Sequence, residues 1–203
     1  MLTIVLATNN PGKVREYREL LEGIYLRLVM PAKIGVHIEV EETGSTFAEN
    51  AIIKARAYAR ASGLYALADD SGLEVDALGG QPGVLSARYA GAQATDAERV
   101  QALLTALKDV PPDKRSARFR CVIALASPDG DIVTGEGTCE GRISFAPKGT
   151  HGFGYDPIFY LPDMGKTMAQ IPPEVKNRIS HRASAAQAIR PVLSRLAAQA
   201  CGC

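Results

Sequence analysis

Two adjacent carboxylates, Asp69 and Asp70, stand at the end of the apolar run Ala66-Leu67-Ala68 and are followed by Ser71-Gly72. An apolar run that ends in this way predicts a strand that carries acidic side chains to the edge of a sheet, where open α/β sheets bind their ligands. Because neighbouring side chains on a strand point to opposite faces, one aspartate is a candidate for chemistry and the other for a structural partner. A solvated turn is the alternative interpretation.

A second polar segment, Thr8-Asn9-Asn10-Pro11-Gly12-Lys13, follows an N-terminal apolar strand and precedes apolar residues at helical spacing. The free backbone amides and the dipole at a helix start favour anions, and Lys13 adds a positive charge. The segment lacks the glycine pattern of a Walker loop. It predicts a phosphate site, with a polar strand-to-helix turn as the alternative.

Three glutamates, Glu39, Glu41 and Glu42, precede the next predicted helix. Acidic residues this close together are typical of a solvated loop. The alternative is that one of them lies near Asp69 and Asp70. Two carboxylates from different elements, completed by substrate phosphates, are the usual protein ligands of Mg²⁺.

Glycines bracket a single aromatic residue in the loop His151-Gly152-Phe153-Gly154-Tyr155-Asp156-Pro157. Phe153 could present a flat surface on which a nucleobase stacks, or it could lie in the core. Further along, Lys176 and Ser180-His181-Arg182 supply several donors and no carboxylate, which suits a base edge rich in carbonyl acceptors. A helix cap followed by solvated basic residues is the alternative there. No partner pattern for a Ser/His or Cys/His nucleophile is present.

The elements that must position these residues alternate between helices and strands. Capping boxes at Thr46–Glu49 and Thr95–Glu98 begin helices, the first of which should run to about Ala61 with Gly63 as its stop. Apolar runs predict strands at residues 2–7, 26–30, 64–68, 73–78, 117–126 and 132–143, and Ser180 should open a last amphipathic helix. The alternation, with a hairpin at 127–131, predicts an α/β fold with a mixed sheet.

The composition indicates the broad class of protein. A chain of 203 residues with 46% hydrophobic and 22% charged residues is typical of a soluble globular domain. Its net charge of +1 gives no reason to expect binding to a polynucleotide or to a membrane surface. No stretch is apolar enough to span a membrane, and the N-terminus lacks the basic start of a signal peptide, so we expect a cytoplasmic protein. Cys201 and Cys203 form a Cys-x-Cys pair, a weak zinc signal without a partner cluster.

Taken together, six motifs resemble the inosine triphosphate pyrophosphatase family, the non-canonical purine nucleoside triphosphate (dITP/XTP) pyrophosphatases. They are Thr8-x-Asn10-x-x-Lys13, Ala68-Asp69-Asp70-Ser71-Gly72-Leu73, Ala77-Leu78-Gly79-Gly80-x-Pro82-Gly83, Ser86-Ala87-Arg88-Tyr89, Phe153-Gly154-Tyr155-Asp156-Pro157 and Ser180-His181-Arg182. The resemblance implies a long curved mixed β-sheet flanked by helices, with two lobes and a central cleft, in a homodimer. It places residues 1–198 in a single bilobed nucleotide pyrophosphatase domain and residues 199–203 in a C-terminal tail.

The resemblance also implies an activity, the Mg²⁺-dependent hydrolysis of ITP, dITP and XTP to the monophosphate and pyrophosphate. Asp70 would be the catalytic acid/base residue and a metal ligand, and Ser71 would contact the nucleotide. Glu41 would be the second metal carboxylate, with Glu42 open as the alternative. The triphosphate would be bound by Thr8, Asn9, Asn10, Pro11, Gly12 and Lys13, and the base by Phe153, Gly154, Tyr155, Asp156, Lys176, His181 and Arg182.

Two residues depart from the family pattern: Asn9 stands where many members have glycine, and His151 replaces a small residue. Specificity would come from donors of Lys176 and Arg182 that a 6-oxo purine accepts and that adenine leaves unpaired. Two other functions remain possible from the sequence, a pyrophosphatase of modified pyrimidine triphosphates and a nucleotide-binding regulatory module without hydrolysis. The base-pocket residues argue against the first, and the retained acidic residues against the second.

Overall fold

A mixed sheet organises the chain. The computed structural model describes residues 1–201, and within them seven strands follow the order β2-β1-β3-β4-β5-β6-β7. The strands are β1 (Leu2–Leu6), β2 (Leu26–Val29), β3 (Tyr65–Val75), β4 (Ser116–Ala126), β5 (Ile132–Ile143), β6 (Phe159–Leu161) and β7 (Lys166–Thr167). β1 pairs in parallel with both β2 and β3, whereas β6 is antiparallel to β5 and β7. The predicted α/β class with a mixed sheet is confirmed.

Five α-helices of the described residues accompany the sheet: α1 (Pro11–Leu20), α2 (Phe47–Ser62), α3 (Asp96–Ala106), α4 (Pro173–Ile179) and α5 (His181–Cys201). Short 3₁₀ helices span Pro31–Ile34, Asp76–Leu78, Gly83–Arg88, Pro112–Lys114, Pro162–Met164 and Met168–Gln170. The two capping boxes form as predicted, at Thr46 and Thr95, and Gly63 ends α2 in the left-handed conformation. The sequence did not predict α4, a helix of two turns that carries Lys176.

The chain divides into two compact units. Unit 1 contains Met1–Asp70, Cys121–Gly137 and the described residues from Arg182 onward, and unit 2 contains Ser71–Arg120 and Thr138–His181. No helix within residues 1–201 is both long and apolar enough to cross a membrane. Of the tail predicted at 199–203, residues 199–201 belong to α5, and 202–203 lie outside the described residues.

In unit 1, helices cover both faces of the strands. Ile4 and Leu6 of β1 are buried against Tyr17 of α1 and Ile189 of α5. Val5, which lies between Ile4 and Leu6, points to the opposite face, where α2 packs on β1. The polar segment that begins at Thr8 follows the carboxyl end of β1, and the pairing of Leu6 with Leu67 places β3 beside that end, two residues before Asp69.

In unit 2, a separate core forms around the second halves of β3 and β5 and the first half of β4. Leu73 and Val75 of β3 pack with Leu103 of α3, Phe119 of β4 and Phe159 of β6. The Phe119 and Phe159 ring centroids are 4.4 Å apart at an angle of 40°. This core supports the glycine-rich loop at residues 149–156.

One prediction about β3 is wrong. The sequence predicts two strands separated by an acidic turn, but β3 runs without interruption through Asp69, Asp70 and Ser71. The pairing with β1 reaches only Leu67, yet β4 lies on the other side of β3 and keeps the chain extended. The two aspartates thus lie inside a strand rather than at its end.

Candidate active site

The predicted phosphate segment forms the start of α1. Asn10 caps the helix, since its Oδ1 accepts hydrogen bonds from the backbone N–H groups of Gly12 (2.8 Å) and Lys13 (3.2 Å). The Thr8 hydroxyl oxygen accepts in turn from the N–H of Asn10 at 3.1 Å. An anion bound here would share these amides with the Asn10 side chain or displace it. Asn9 and Pro11 are exposed beside them.

Asp69 faces α1 and α5. Its Oδ2 lies 2.8 Å from Lys13 Nζ and 3.6 Å from Arg182 Nε. Burial alone would raise the pKa of the Asp69 carboxyl, but the charges of Lys13 and Arg182 outweigh burial and hold that pKa well below its usual range. Asp69 is therefore ionised at neutral pH and anchors two cations. It is the aspartate with the structural partners.

Arg182 is buried in unit 1. Its Nη1 donates to Glu16 Oε2 of α1 at 2.5 Å, in addition to the approach to Asp69. The sequence assigned no role to Glu16, whose partner is 166 positions away in the chain. The role predicted for Arg182, a donor to the base, is untested by this geometry and stays a prediction.

Asp70 faces α2 instead. Its Oδ2 accepts from Asn50 Nδ2 at 3.1 Å, and its Oδ1 lies 3.9 Å from Lys54 Nζ. Burial is the largest effect on the Asp70 carboxyl and raises its pKa; Lys54 opposes this rise and Glu42 adds to it. The prediction that the two aspartates have different surroundings is confirmed. A buried carboxyl with a raised pKa is suited to proton transfer.

Lys54 links Asp70 to the acidic loop. Its Nζ lies 2.7 Å from Glu42 Oε1 and donates to the Asp69 carbonyl oxygen at 2.7 Å. Glu41, the predicted metal ligand, is exposed, whereas Glu42 is the glutamate that contacts Lys54 beside Asp70. The sequence analysis missed both Asn50 and Lys54. Their i, i+4 spacing places them on one face of α2, a signal that could have indicated a shared target.

The residues around Asp70 fit a small, hard cation in part. Within residues 1–201 no cluster of three or more His, Cys, Asp or Glu side chains could hold a metal. Asp70 and Glu42 nevertheless supply carboxylate oxygens from two elements, and both lie near the Lys54 ammonium. Hard cations prefer such oxygens, and Mg²⁺ commonly takes only one or two protein carboxylates, with phosphate and water completing its shell.

In unit 2, Asp156 organises the glycine-rich loop. Its Oδ2 accepts from the N–H of Phe153 at 2.9 Å and from Lys176 Nζ at 2.6 Å. Lys176 Nζ also lies 5.0 Å from the centre of the Phe153 ring. The Asp156 and Lys176 side chains are buried, whereas Phe153 is partly exposed. Three predicted base-pocket residues are thus brought together, with an aromatic ring at the surface.

Two glycines allow the loop to take this shape. Gly152 has φ +78°, and a Cβ there would collide with Asp156 Oδ2. Gly149 has φ +85°, and a Cβ there would collide with the backbone of Ala169. Both positions therefore need glycine for conformation and for space. His151, which departs from the family pattern, is exposed between them.

The remaining predicted residues occupy defined places. The Tyr155 hydroxyl is buried and donates to the Ser86 carbonyl oxygen at 2.9 Å. His181, the first residue of α5, stacks on Phe119 with centroids 4.8 Å apart and 18° between the planes. Ser71 is half-buried in β3. His181 is the last residue of unit 2, and Arg182 begins the last segment of unit 1.

Comparisons with known proteins identify the family. The model of the Ham1 family matches residues 4–192. The chain therefore belongs to the Ham1 family, as the resemblance in its motifs predicted.

Relatives and a solved structure agree with this assignment. A dITP/XTP pyrophosphatase of Desulforamulus reducens is 53% identical over 195 residues, covering 96% of this chain and 97% of the relative. A dITP/XTP pyrophosphatase of Bacillus subtilis is 48% identical over 193 residues, covering 95% and 98%. The structure of a HAM1 protein from Coxiella burnetii superposes with a TM-score of 0.88 at 49% identity, covering 96% of this chain and 100% of that one.

Proposed function

We propose that the chain is a nucleoside triphosphate pyrophosphatase, which hydrolyses dITP, XTP and ITP to the nucleoside monophosphate and pyrophosphate. The names of its relatives at about half identity support this activity. The structural observation that supports it most is the pair Asp69 and Asp70, because the two adjacent aspartates have different neighbours. One aspartate holds cations beside a helix start, and the other is a buried carboxyl with a raised pKa.

Asp70 is the proposed general base. It would accept a proton from the water that attacks the α-phosphorus, while the α–β bridging oxygen leaves with pyrophosphate. Positioned general bases typically contribute about 10²–10⁴-fold to a rate. Asn50 orients the Asp70 carboxyl by donating to Oδ2 at 3.1 Å. The other oxygen, Oδ1, then lies 3.9 Å from Lys54 Nζ.

The triphosphate is proposed to bind at the start of α1. Lys13 and the first amides of the helix offer positive charge there, and Asp69 holds the Lys13 ammonium in position at 2.8 Å. Electrostatic stabilisation and positioning supply most of the catalysis in phosphoryl-type reactions. Thr8, Asn9, Asn10, Pro11 and Gly12 complete the proposed phosphate segment.

The proposed cofactor is Mg²⁺, held by Asp70 and by a glutamate of the acidic loop. Glu42 is the better supported glutamate because it approaches Lys54, whereas Glu41 is exposed. The ion would offset the negative charge that develops on the phosphates. Lys54 offers a positive charge among the same carboxylates and would have to share them with the ion.

Base recognition is proposed for the loop of unit 2. Phe153 is partly exposed and can stack on a purine. Lys176 carries three N–H donors and donates to Asp156; the same ammonium is the proposed donor to a 6-oxo group. Adenine has an amino group at that position, and mismatches of this kind can discriminate by roughly 10⁴–10⁵-fold. His181 and Arg182 remain predicted members of the pocket, and the homodimer and the cytoplasmic location remain predictions.

A substrate panel tests the proposed function. The purified chain is given dITP, XTP, ITP, GTP and ATP with Mg²⁺, and pyrophosphate release is measured beside a reaction with chelator. We expect release from the first three nucleotides and a rate for ATP lower by orders of magnitude. Hydrolysis of ATP as fast as ITP would contradict the specificity, and nucleotide binding without pyrophosphate would favour a regulatory module.

Matched variants test the carboxylates. Asp70→Asn keeps the acceptor for Asn50 and removes the base, so turnover should be lost while nucleotide still binds. Glu42→Gln should raise the Mg²⁺ concentration needed for half-maximal rate, and Glu41→Gln is the control beside it. A larger effect of Glu41→Gln than of Glu42→Gln would reverse the proposed ligand assignment.

A further inference from the structure

Both peptide groups that flank the Phe153 Cα atom donate to carboxylates in unit 2. The N–H on its amino side, that of Phe153, donates to Asp156 Oδ2 at 2.9 Å. The N–H on its carboxyl side, that of Gly154, donates to Asp96 Oδ2 at 2.7 Å. Two fixed peptide planes determine φ and ψ of the residue between them. The direction in which the Cα–Cβ bond of Phe153 leaves the backbone is therefore set by two acidic residues that lie 60 positions apart in the sequence.

Asp96 is itself held in place. It is the first residue of α3, following the capping residue Thr95, and its Oδ1 lies 2.7 Å from Arg99 Nη2. Arg99 also donates through Nη1 to the Ala87 carbonyl oxygen. Three successive contacts, Ala87 to Arg99, Arg99 to Asp96 and Asp96 to Gly154, therefore connect the Ser86–Tyr89 motif with the aromatic loop.

A second bond makes the same connection. The Tyr155 hydroxyl donates to the Ser86 carbonyl oxygen at 2.9 Å, next to the carbonyl that Arg99 contacts. The loop is thus attached to the 83–88 segment at two consecutive residues, at Gly154 through Asp96 and Arg99 and at Tyr155 directly. Gly154 has φ +62°, so this attachment fixes a backbone conformation that other residues rarely adopt.

We propose that Asp96, oriented by Arg99, is a positioning residue for base recognition, which holds the Phe153 ring in the orientation that stacks on the purine. The proposal rests on the function proposed above. Asp96 contacts neither phosphate nor metal in this scheme, so its removal should weaken the binding of the base alone. Without it, the loop must be ordered by the nucleotide, and that ordering lowers affinity.

The test measures KM and kcat for dITP in Asp96→Ala. We expect KM to rise roughly three- to tenfold, as for the loss of one partly exposed charge-assisted hydrogen bond, with kcat changed less than twofold. Inorganic tripolyphosphate, a competitive inhibitor without a base, should keep its Ki. Asp96→Asn retains an oxygen for the Gly154 N–H and should recover part of the affinity, and Arg99→Met should show an intermediate KM.

Asp109→Asn is the matched control, because it removes one exposed acidic charge near the other end of α3; it should leave KM unchanged. A fall in kcat at constant KM would show a merely structural role and overturn the proposal, as would a tripolyphosphate Ki that rises in parallel with KM. If Asp96→Ala does not fold, Asp96→Asn and Arg99→Met decide the question. A wild-type protein that releases no pyrophosphate refutes the proposed function, whereas normal wild-type turnover with unchanged KM in the variants refutes only the positioning role.

Discussion

The buried pair of Asp156 and Lys176 allows a quantitative test of how the aromatic loop is held. The two side chains are only 4% and 6% exposed, and their charged atoms are 2.6 Å apart. Asp156→Asn keeps an oxygen for the Phe153 N–H and removes only the charge. It leaves a buried ammonium without its carboxylate partner, a change that typically costs about 3–5 kcal/mol. We expect the free energy of unfolding to fall by an amount in that range.

Urea denaturation followed by circular dichroism measures this loss, provided that the slope with denaturant is unchanged. Lys176→Met is the reciprocal variant and should lose a comparable amount. Because each single variant removes the same ion pair, the double variant should cost less than the sum of the two, with a coupling of about 1–3 kcal/mol.

A loss below about 1 kcal/mol in Asp156→Asn, the range of exposed ion pairs, would refute the reasoning. Additive effects in the double variant would do so as well, because they would show that the two charges do not depend on each other. Lys176→Met should also raise KM for dITP, since Lys176, held by Asp156, is the proposed donor to the 6-oxo group.

Two further predictions concern stability and thiol reactivity. Thr46→Ala removes the cap of α2, whose side chain accepts from the Glu49 N–H, and should lower the free energy of unfolding by about 1 kcal/mol in urea; an unchanged value would show that the cap contributes nothing. Burial raises the pKa of Cys121 to about 12 and that of Cys139 to about 11, so thiolate is scarce at pH 8 and both should resist brief alkylation of the native protein. Cys201 is exposed and should be labelled in peptide mass spectrometry; modification of Cys121 before unfolding would contradict the burial.

The sequence predicted best what depends on short-range interactions. The capping boxes at Thr46 and Thr95 and the stop at Gly63 each involve residues within four positions of one another, so their patterns are visible in the sequence. The hairpin between β4 and β5 has the same local origin. The β3 prediction failed because polar residues after an apolar run resemble a turn, and only the neighbouring strand β4 shows that the chain stays extended.

The candidate site shows the same difference between short-range and long-range interactions. Asp70, Gly154 and Arg182 were predicted from local motifs, but their partners were not, since Lys54, Asp96 and Glu16 meet them across 16, 58 and 166 positions. A single aspartate or glutamate on a helix surface carries no local sign of such a partner. The partners nevertheless influence the pKa of each aspartate carboxyl and the way the aromatic loop is held.

The tightly enclosed glycines limit how this loop can be redesigned. Any side chain at Gly149 or Gly152 would push into Ala169 or Asp156, so libraries that vary those positions will mainly yield proteins with a damaged scaffold. Phe153 is partly exposed, and its backbone and its ring both contact the residues that shape the loop. A library that probes the proposed base recognition should therefore vary Phe153 and leave the glycines untouched.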